Sequence, residues 1–374
     1  MGARLLLVLA ALAAPVGADP AAAALAVAEG ERPVHPDPVQ RLTVLASGDL
    51  LIHSQIYGRA DALRADGYDF RPFFARIRPL VRRADLAVCH AETPMGAGPP
   101  SSYPRFNSPV ALARAIAWTG WDACTLASNH AVDKGAEGIA TTLRALDRVG
   151  VRHAGTARSR RERRHTTFLE ARGVRVALLS YTYGTNGLPA PHPWSVNLAS
   201  PRRIAADARR ARRRGADLVL ANLHWGSEYV HEPSAAQRQL ARALLRRGVV
   251  DAIVGQHAHV VQPIARIDGR FVVYGEGNLV SAQDGHSQDG LLAVLHVLAG
   301  AGDARVARVE YVPTWVEPAT YIVQPVAQRL RRLLRHGRGR SALAEELLAS
   351  HRRTVAYAGS GRRIRPVRLP RPYR

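Results

Sequence analysis

From residue 41 onward, short apolar runs alternate with longer stretches in which apolar residues recur every three or four positions. The runs at 42–47, 85–89, 122–127, 174–180, 217–223 and 249–254 are nearly unbroken and end at polar or glycine residues, the pattern of strands buried on both faces. Between them, 71–83, 109–119, 135–149, 202–214 and 234–247 carry the helical period. This alternation predicts an α/β fold in which helices cover a largely parallel core. Nearer the end, 260–267, 270–275, 291–298 and 304–314 follow one another as strands, so the sheet is expected to be mixed. Helical patterns return at 324–335 and 341–352, and the basic, proline-rich residues 359–374 are expected to be loosely ordered. No internal repeat is visible.

The start of the chain follows a different rule. Arg4 precedes an apolar run from Leu5 to Val16, and Val16-Gly17-Ala18 offers a small-residue cleavage site before Asp19, so residues 1–18 read as a secretory signal peptide. The run is about 12 residues, too short to span a bilayer. No cysteine follows it, so a lipoprotein anchor is not supported. Residues 19–40 read as an Ala/Pro-rich linker, 41–320 as the main domain, and 321–374 as a helical, Arg-rich extension and tail. With 374 residues, 47% of them hydrophobic, the chain has material for a large core.

Charge adds a partner class. Lys+Arg number 52 against 30 Asp+Glu, for a net +22, and Lys134 is the only lysine. Clusters such as 202–214 interleave arginine with alanine at helical spacing, so much of this charge is a solvated helix face. A surface so basic attracts polyanions. For an exported chain these are an anionic cell-envelope polymer or an anionic membrane surface, to which it would bind peripherally. No nucleic-acid motif accompanies the charge, so no specific nucleic acid is expected. Cys89 and Cys124 both lie on expected strands, and export makes a bond between neighbouring strand ends a reasonable reading beside two free thiols.

The candidate chemistry sits just beyond the expected strands, where α/β folds build their sites. The segment 43–53 carries Asp49 and His53; 85–94 carries His90 and Glu92; 122–135 carries Asn129, His130 and Asp133; 217–229 carries His224 and Glu228; 251–260 carries His257 and His259. Each alone has a plain structural reading, such as a helix cap, a loop carboxylate or a hydrogen-bonded histidine. Five such clusters at successive strand ends are expected to converge on one site. The one-residue spacing of His257 and His259 would put both rings on one side of an extended backbone. Carboxylates, an amide and several imidazoles without a thiolate cage suit borderline divalent cations such as Mn, Zn, Fe or Ni. The number of ligands fits two ions, with one carboxylate bridging them.

In order, GD, E-T-P, A-S-N-H-x-x-D-x-G, H-W-G-x-E-Y and G-x-H-x-H-x-x-Q-P resemble the motifs of the CapA family of poly-γ-glutamate capsule proteins, over roughly residues 42–283. That family is similar to the calcineurin-like metallophosphatases. The resemblance implies a metallophosphatase-like four-layer αββα sandwich with mixed sheets and a dinuclear site at the strand ends. It implies Asp49, Glu92, Asn129, His224, His257 and His259 as metal ligands, with Glu92 in the bridging place. It implies His130, together with Asp49, as catalytic, His130 assisting the leaving group. His53, His90 and Asn278 fall on the substrate side, and 180–187 resembles a substrate-side loop. Two departures from the wider pattern are Leu51 at the histidine of D-x-H, and Gln256 where many relatives have histidine. The function implied is an exported metal-dependent hydrolase acting in synthesis or processing of poly-γ-glutamate or another anionic envelope polymer. The alternative is a non-catalytic, metal-containing component that binds or exports such a polymer.

Overall fold

Strands buried on two faces need a layer on each side, and the chain provides them in sequence order. The computed structural model describes residues 39–63, 67–246, 248–300 and 303–373; the expected signal peptide and nearly all of the linker lie outside them. β1 (Gln40–Leu50), β2 (Leu86–Ala91), β3 (Ala123–Thr125) and β4 (Arg152–Ala154) lie side by side and parallel in a first sheet. β5 (Thr167–Ala171), β6 (Val174–Thr182), β7 (Leu218–His224), β8 (Ala252–Gln256), β9 (Ile264–Ile267) and β10 (Arg270–Val273) form a second, in the order β5-β6-β7-β8-β10-β9. The chain then returns to the first sheet with β11 (Asn278–Val280), β12 (Asp289–Gly300), β13 (Asp303–Val316), β14 (Val323–Pro325) and β15 (Ile364–Pro366). β12 runs antiparallel to β1 and β9 antiparallel to β10, so both sheets are mixed.

Alternation along each strand divides the core into layers. Leu42, Val44 and Ala46 of β1 meet Val176 and Leu178 of β6, Leu218 and Leu220 of β7 and Phe271 of β10 in the apolar layer between the sheets. Leu45 faces the other way, toward Ile56, Phe74, Leu112, Ile116 and Leu143 on the helices that cover the first sheet. On the far side Ala177, Val219 and Ile253 pack under Ile204 and Ala208 of helix Pro201–Arg213 and Ala241 and Leu244 of helix Ala235–Leu245. The result is the four-layer αββα sandwich.

Some expected elements change. The helix expected over 71–83 is two single turns, Arg71–Phe74 and Arg78–Val81, because Pro72 and Pro79 each open a new turn and lack the N–H a continuous helix needs. The strand expected over 260–267 begins only at Ile264. The tail is not loose: β15 pairs in parallel with β13, matching Val309 with Ile364 and Tyr311 with Pro366. Helices Val326–Arg335 and Ala342–Ala358 pack with Trp315 through Leu330, Leu333 and Leu347. The extension therefore adds to the first sheet. Cys89 and Cys124 are register partners on β2 and β3 and form a disulfide.

Candidate metal centre

The carboxyl ends of strands from both sheets meet at one rim, and the predicted polar residues collect there. Asp49 lies near the end of β1, His90 in β2 with Glu92 just after it, Asn129 and His130 after β3, His224 at the end of β7, and His257 and His259 after β8. Close approach depends on two glycines. A Cβ on Gly48 would lie 1.8 Å from the Gly277 carbonyl oxygen, and one on Gly255 1.9 Å from that of Tyr274. The backbone of His257 and His259 is not extended as their spacing suggested. β8 stops at Gln256, and both histidines take left-handed φ values of 88° and 55°. Each such non-glycine residue costs about 1–2 kcal/mol, strain that collects at functional sites. The turn brings the His257 N–H to Asp49, donating to Oδ2 at 3.1 Å.

The side chains form four overlapping sets of three, in each of which the ligand atoms lie within 4.8 Å of one another: Asp49–His90–His224, Glu92–His224–His257, Glu228–His257–His259 and Asp49–Glu92–His259. Only Glu228 is exposed. His259 Nδ1 lies 3.3 Å from Asp49 Oδ2, and its Nε2 lies 3.7 Å from Glu92 Oε1. His224 Nε2 lies 2.8 Å from Asn129 Oδ1 and 3.7 Å from Glu92 Oε1. Neither carboxylate oxygen of Glu92 has a hydrogen-bond partner, nor does His257 Nδ1. Buried orphans of this kind need an explanation, and a cation is the one that suits an acceptor-only carboxylate ringed by imidazoles. The buried Asp, Glu and His set therefore fits a divalent metal.

The electrostatics agree. Burial pushes the Glu92 carboxyl well above its ordinary value, with His259 pulling the other way. Burial also opposes ionisation of Asp49, but the His259 hydrogen bond and the His259 and His90 charges outweigh it and hold the group below its usual value. For His259, burial disfavours the charge, yet Glu92 and Asp49 raise it to about 9. Burial, joined by the His259 charge, takes His257 down to about 3. Burial takes His90 to about 4 and His224 well below its ordinary value. The set is thus rich in neutral imidazole donors.

The remaining predicted residues lie around these atoms, with His90 itself in the first set. His90 reaches His224 Nδ1 with Nε2 at 3.0 Å and Thr125 Oγ1 with Nδ1 at 2.9 Å. Asn278 Oδ1 lies 2.9 Å from His259 Nδ1, while its amide donates to Gln283 Oε1 and the Ser287 carbonyl, each at 2.9 Å. Both residues are buried. His53 precedes helix Ser54–Ala62, accepts the Ala282 N–H at 3.3 Å and belongs to none of the ligand sets. His130 Nδ1 lies 2.7 Å from Asp133 Oδ2, which leaves Nε2 for the cleft that His130 lines. The 180–187 segment lies at the site, with the Tyr183 ring 4.6 Å from that of His257. Sequence reading did not single out Arg105, which lines the same cleft, Tyr229, whose ring lies 6.0 Å from that of His259, or the buried Glu276. The only signal for the first was the run Tyr103-Pro104-Arg105 beside an aromatic residue, Phe106.

A family profile described as "Bacterial capsule synthesis protein PGA_cap" matches residues 43–283, well over half of the chain. The chain belongs to this CapA family. It is 26% identical over 266 residues to the capsule biosynthesis protein CapA of Bacillus anthracis, covering 68% of this chain and 63% of the relative. It is 30% identical over 197 residues to the PGA biosynthesis protein CapA of Bacillus subtilis (strain 168), covering 52% and 50%. The chain thus spans less than two thirds of the length of these CapA relatives. Among solved structures it is similar to the Haemophilus influenzae NAD nucleotidase (12% identity, TM-score 0.49, covering 90% of this chain and 59% of that one). It is also similar to the calcineurin-like phosphoesterase YfkN from Bacillus subtilis (15% identity, TM-score 0.47, covering 86% and 99%). Membership of the CapA family rests on the sequence match. It ties the chain to proteins of capsule and poly-glutamate synthesis.

Proposed function

We propose that the protein is an exported metal-dependent hydrolase that makes or trims poly-γ-glutamate or another anionic envelope polymer, cutting a phosphoester or amide bond. One observation carries the metal part of this reading: the buried carboxylate of Glu92, with both oxygens unpartnered, between His224 and His259 at 3.7 Å each. Glu92, Asn129, His224 and His257 would hold one ion, and Asp49, Glu92 and His259 a second, with Glu92 shared. When bound, such ions supply a nucleophile at neutral pH and polarise the substrate's phosphoryl or acyl oxygen.

The chain's own residues do the rest. His90 fixes the His224 ring and Asn278 the His259 ring, each through the nitrogen that faces away from Glu92, so both act as positioning residues and not as substrate contacts. Asp133 holds His130 by Nδ1, so that Nε2 can deliver a proton to the leaving group. Export follows from the signal reading of residues 1–18. The net charge of +22 supports attraction to a polyanion and peripheral contact with an anionic membrane surface.

Purified protein loaded with Mn or Zn should hydrolyse a member of a panel of phosphodiesters and γ-glutamyl oligomers, and Asp49→Ala should abolish that turnover. The non-catalytic reading is favoured by a single feature. Leu51 is buried where the wider superfamily has a ligand histidine, and His53 joins no ligand set. Unchanged polymer binding in Asp49→Ala, with no turnover by the parent protein on any panel member, would select that reading.

A further inference from the structure

Beside the ligand cluster opens a cleft of about 370 Å³, with Tyr103, Arg105, Asn129, His130, Leu188 and Glu228 in its lining. Because Asn129 and His130 form part of the wall, a molecule held there lies against the reactive centre. Arg105 is the only arginine in the lining. Its guanidinium is exposed and forms no ion pair or side-chain hydrogen bond among the described residues.

Unpaired arginines are common in so basic a chain. What distinguishes Arg105 is how firmly its backbone is held. Ser101 and Asn107 exchange backbone hydrogen bonds of 3.1 and 3.0 Å around it, and Ser101 Oγ donates to the Arg105 carbonyl at 2.7 Å. The Phe106 N–H donates to Asp133 Oδ2 at 2.7 Å, the same oxygen that meets His130 Nδ1. The Phe106 ring is buried with its edge against His130, centroids 4.7 Å apart. One carboxylate oxygen therefore fixes the cation-bearing turn and the proton donor relative to each other. From a backbone held in this way, the planar guanidinium can offer two parallel hydrogen bonds to an oxyanion. Exposed Tyr183 and Tyr229 lie over His257 and His259, with ring centroids 4.6 and 6.0 Å away, and give a chain-like ligand apolar faces on which to rest.

We propose that Arg105 is the specificity-determining residue of this site, binding a carboxylate of the substrate adjacent to the group at the metal centre. The substrate class is an oligomer with closely spaced carboxylates, such as a γ-linked glutamyl chain. The assignment rests on the reading of the ligand cluster as a substrate-processing site.

The test is equilibrium binding by metal-loaded full-length protein at about 0.15 M salt, where diffuse surface attraction is screened. The probes are a short γ-linked glutamate oligomer, its methyl ester and a glycerol phosphate oligomer. Arg105→Ala should weaken binding of the free-acid glutamate oligomer about tenfold or more, the effect of losing one charge-assisted pair. Arg105→Lys should lose less, ester binding should not change, and Arg209→Ala, on the exposed face of helix Pro201–Arg213, should match the parent protein. The proposal is overturned by an unchanged affinity in Arg105→Ala, by an equal loss in Arg209→Ala, by a loss confined to the phosphate oligomer, or by no binding of the glutamate oligomer to the parent protein. Arg105-dependent binding without turnover would refute the hydrolase and leave this assignment standing. Turnover with KM and kcat indifferent to Arg105 would do the reverse.

Discussion

Replacing Glu92 by glutamine should separate the roles of its carboxylate with and without metal. In the metal-free fold the residue is 1% exposed and neither carboxylate oxygen is hydrogen-bonded. Burial raises its pKa well above the ordinary range, which favours the uncharged carboxyl over the carboxylate in the metal-free protein. Glutamine is nearly isosteric and has the neutral charge that burial favours. The structure offers no hydrogen bond for the change to break, and an unmet buried polar group, worth about 1–3 kcal/mol, is present in both proteins. Glu92→Gln should therefore move metal-free stability by no more than about 1 kcal/mol. With metal the outcome differs. At free metal a thousand times Kd, the parent protein gains about 4 kcal/mol from binding to the native state alone. A neutral amide in place of the shared carboxylate should remove most of that gain. Urea unfolding at pH 7, after chelator treatment and again with added Mn or Zn, reads both quantities. An equal metal-induced gain in parent and variant would refute the reasoning, as would a metal-free loss above about 3 kcal/mol, which would make Glu92 a structural acid.

Three further outcomes follow from the same geometry. With His259 near pKa 9 in the metal-free state, metal entry must displace its proton, so affinity should rise with pH up to about 9 and binding should release protons. Calorimetry in buffers of different ionisation enthalpy would detect this, and an absence of proton release would contradict it. Glu276 is wholly buried, accepts a hydrogen bond from Gln256 at 2.9 Å, and is raised from 4.5 to about 8, chiefly by burial. The folded state then holds a proton that the unfolded chain has lost, so metal-free stability should fall by a few kcal/mol as pH rises from about 4.5 to 8. Glu276→Gln should flatten that decline, and an unchanged pH profile in the variant would argue against it. In a hydrolytically active preparation, His130→Ala should lower kcat by about 10²–10⁴ at unchanged metal content. Loss of metal together with activity would instead make His130 a ligand.

The strands of the inner layers were legible because burial on both faces leaves unbroken apolar runs: 42–47 lies within Gln40–Leu50 and 217–223 nearly coincides with Leu218–His224. Short elements with few buried apolar residues were not. Thr167–Ala171, a sheet-edge strand, and Ser54–Ala62, in which only Ile56 and Ala60 are buried, carry too few apolar residues to show a period. The candidate ligands were legible because strand ends concentrate polar residues there, and the structure brings Asp49, Glu92, Asn129, His224, His257 and His259 together. Their supports were not, since His90 on His224 and Asn278 on His259 are contacts between residues 134 and 19 positions apart. The left-handed turn at His257 was hidden too, because no local residue favours it and the hold comes from Asp49, 208 positions away. Arg105 is one arginine among many until the fold sets it beside His130.

The most direct measurement is a crystal structure of protein grown with Mn, recorded with anomalous scattering above the metal edge. The account predicts two anomalous peaks flanking Glu92, one also within bonding distance of His224 and His257 and the other of Asp49 and His259. Density without a metal peak between these side chains, at saturating Mn and neutral pH, would contradict it.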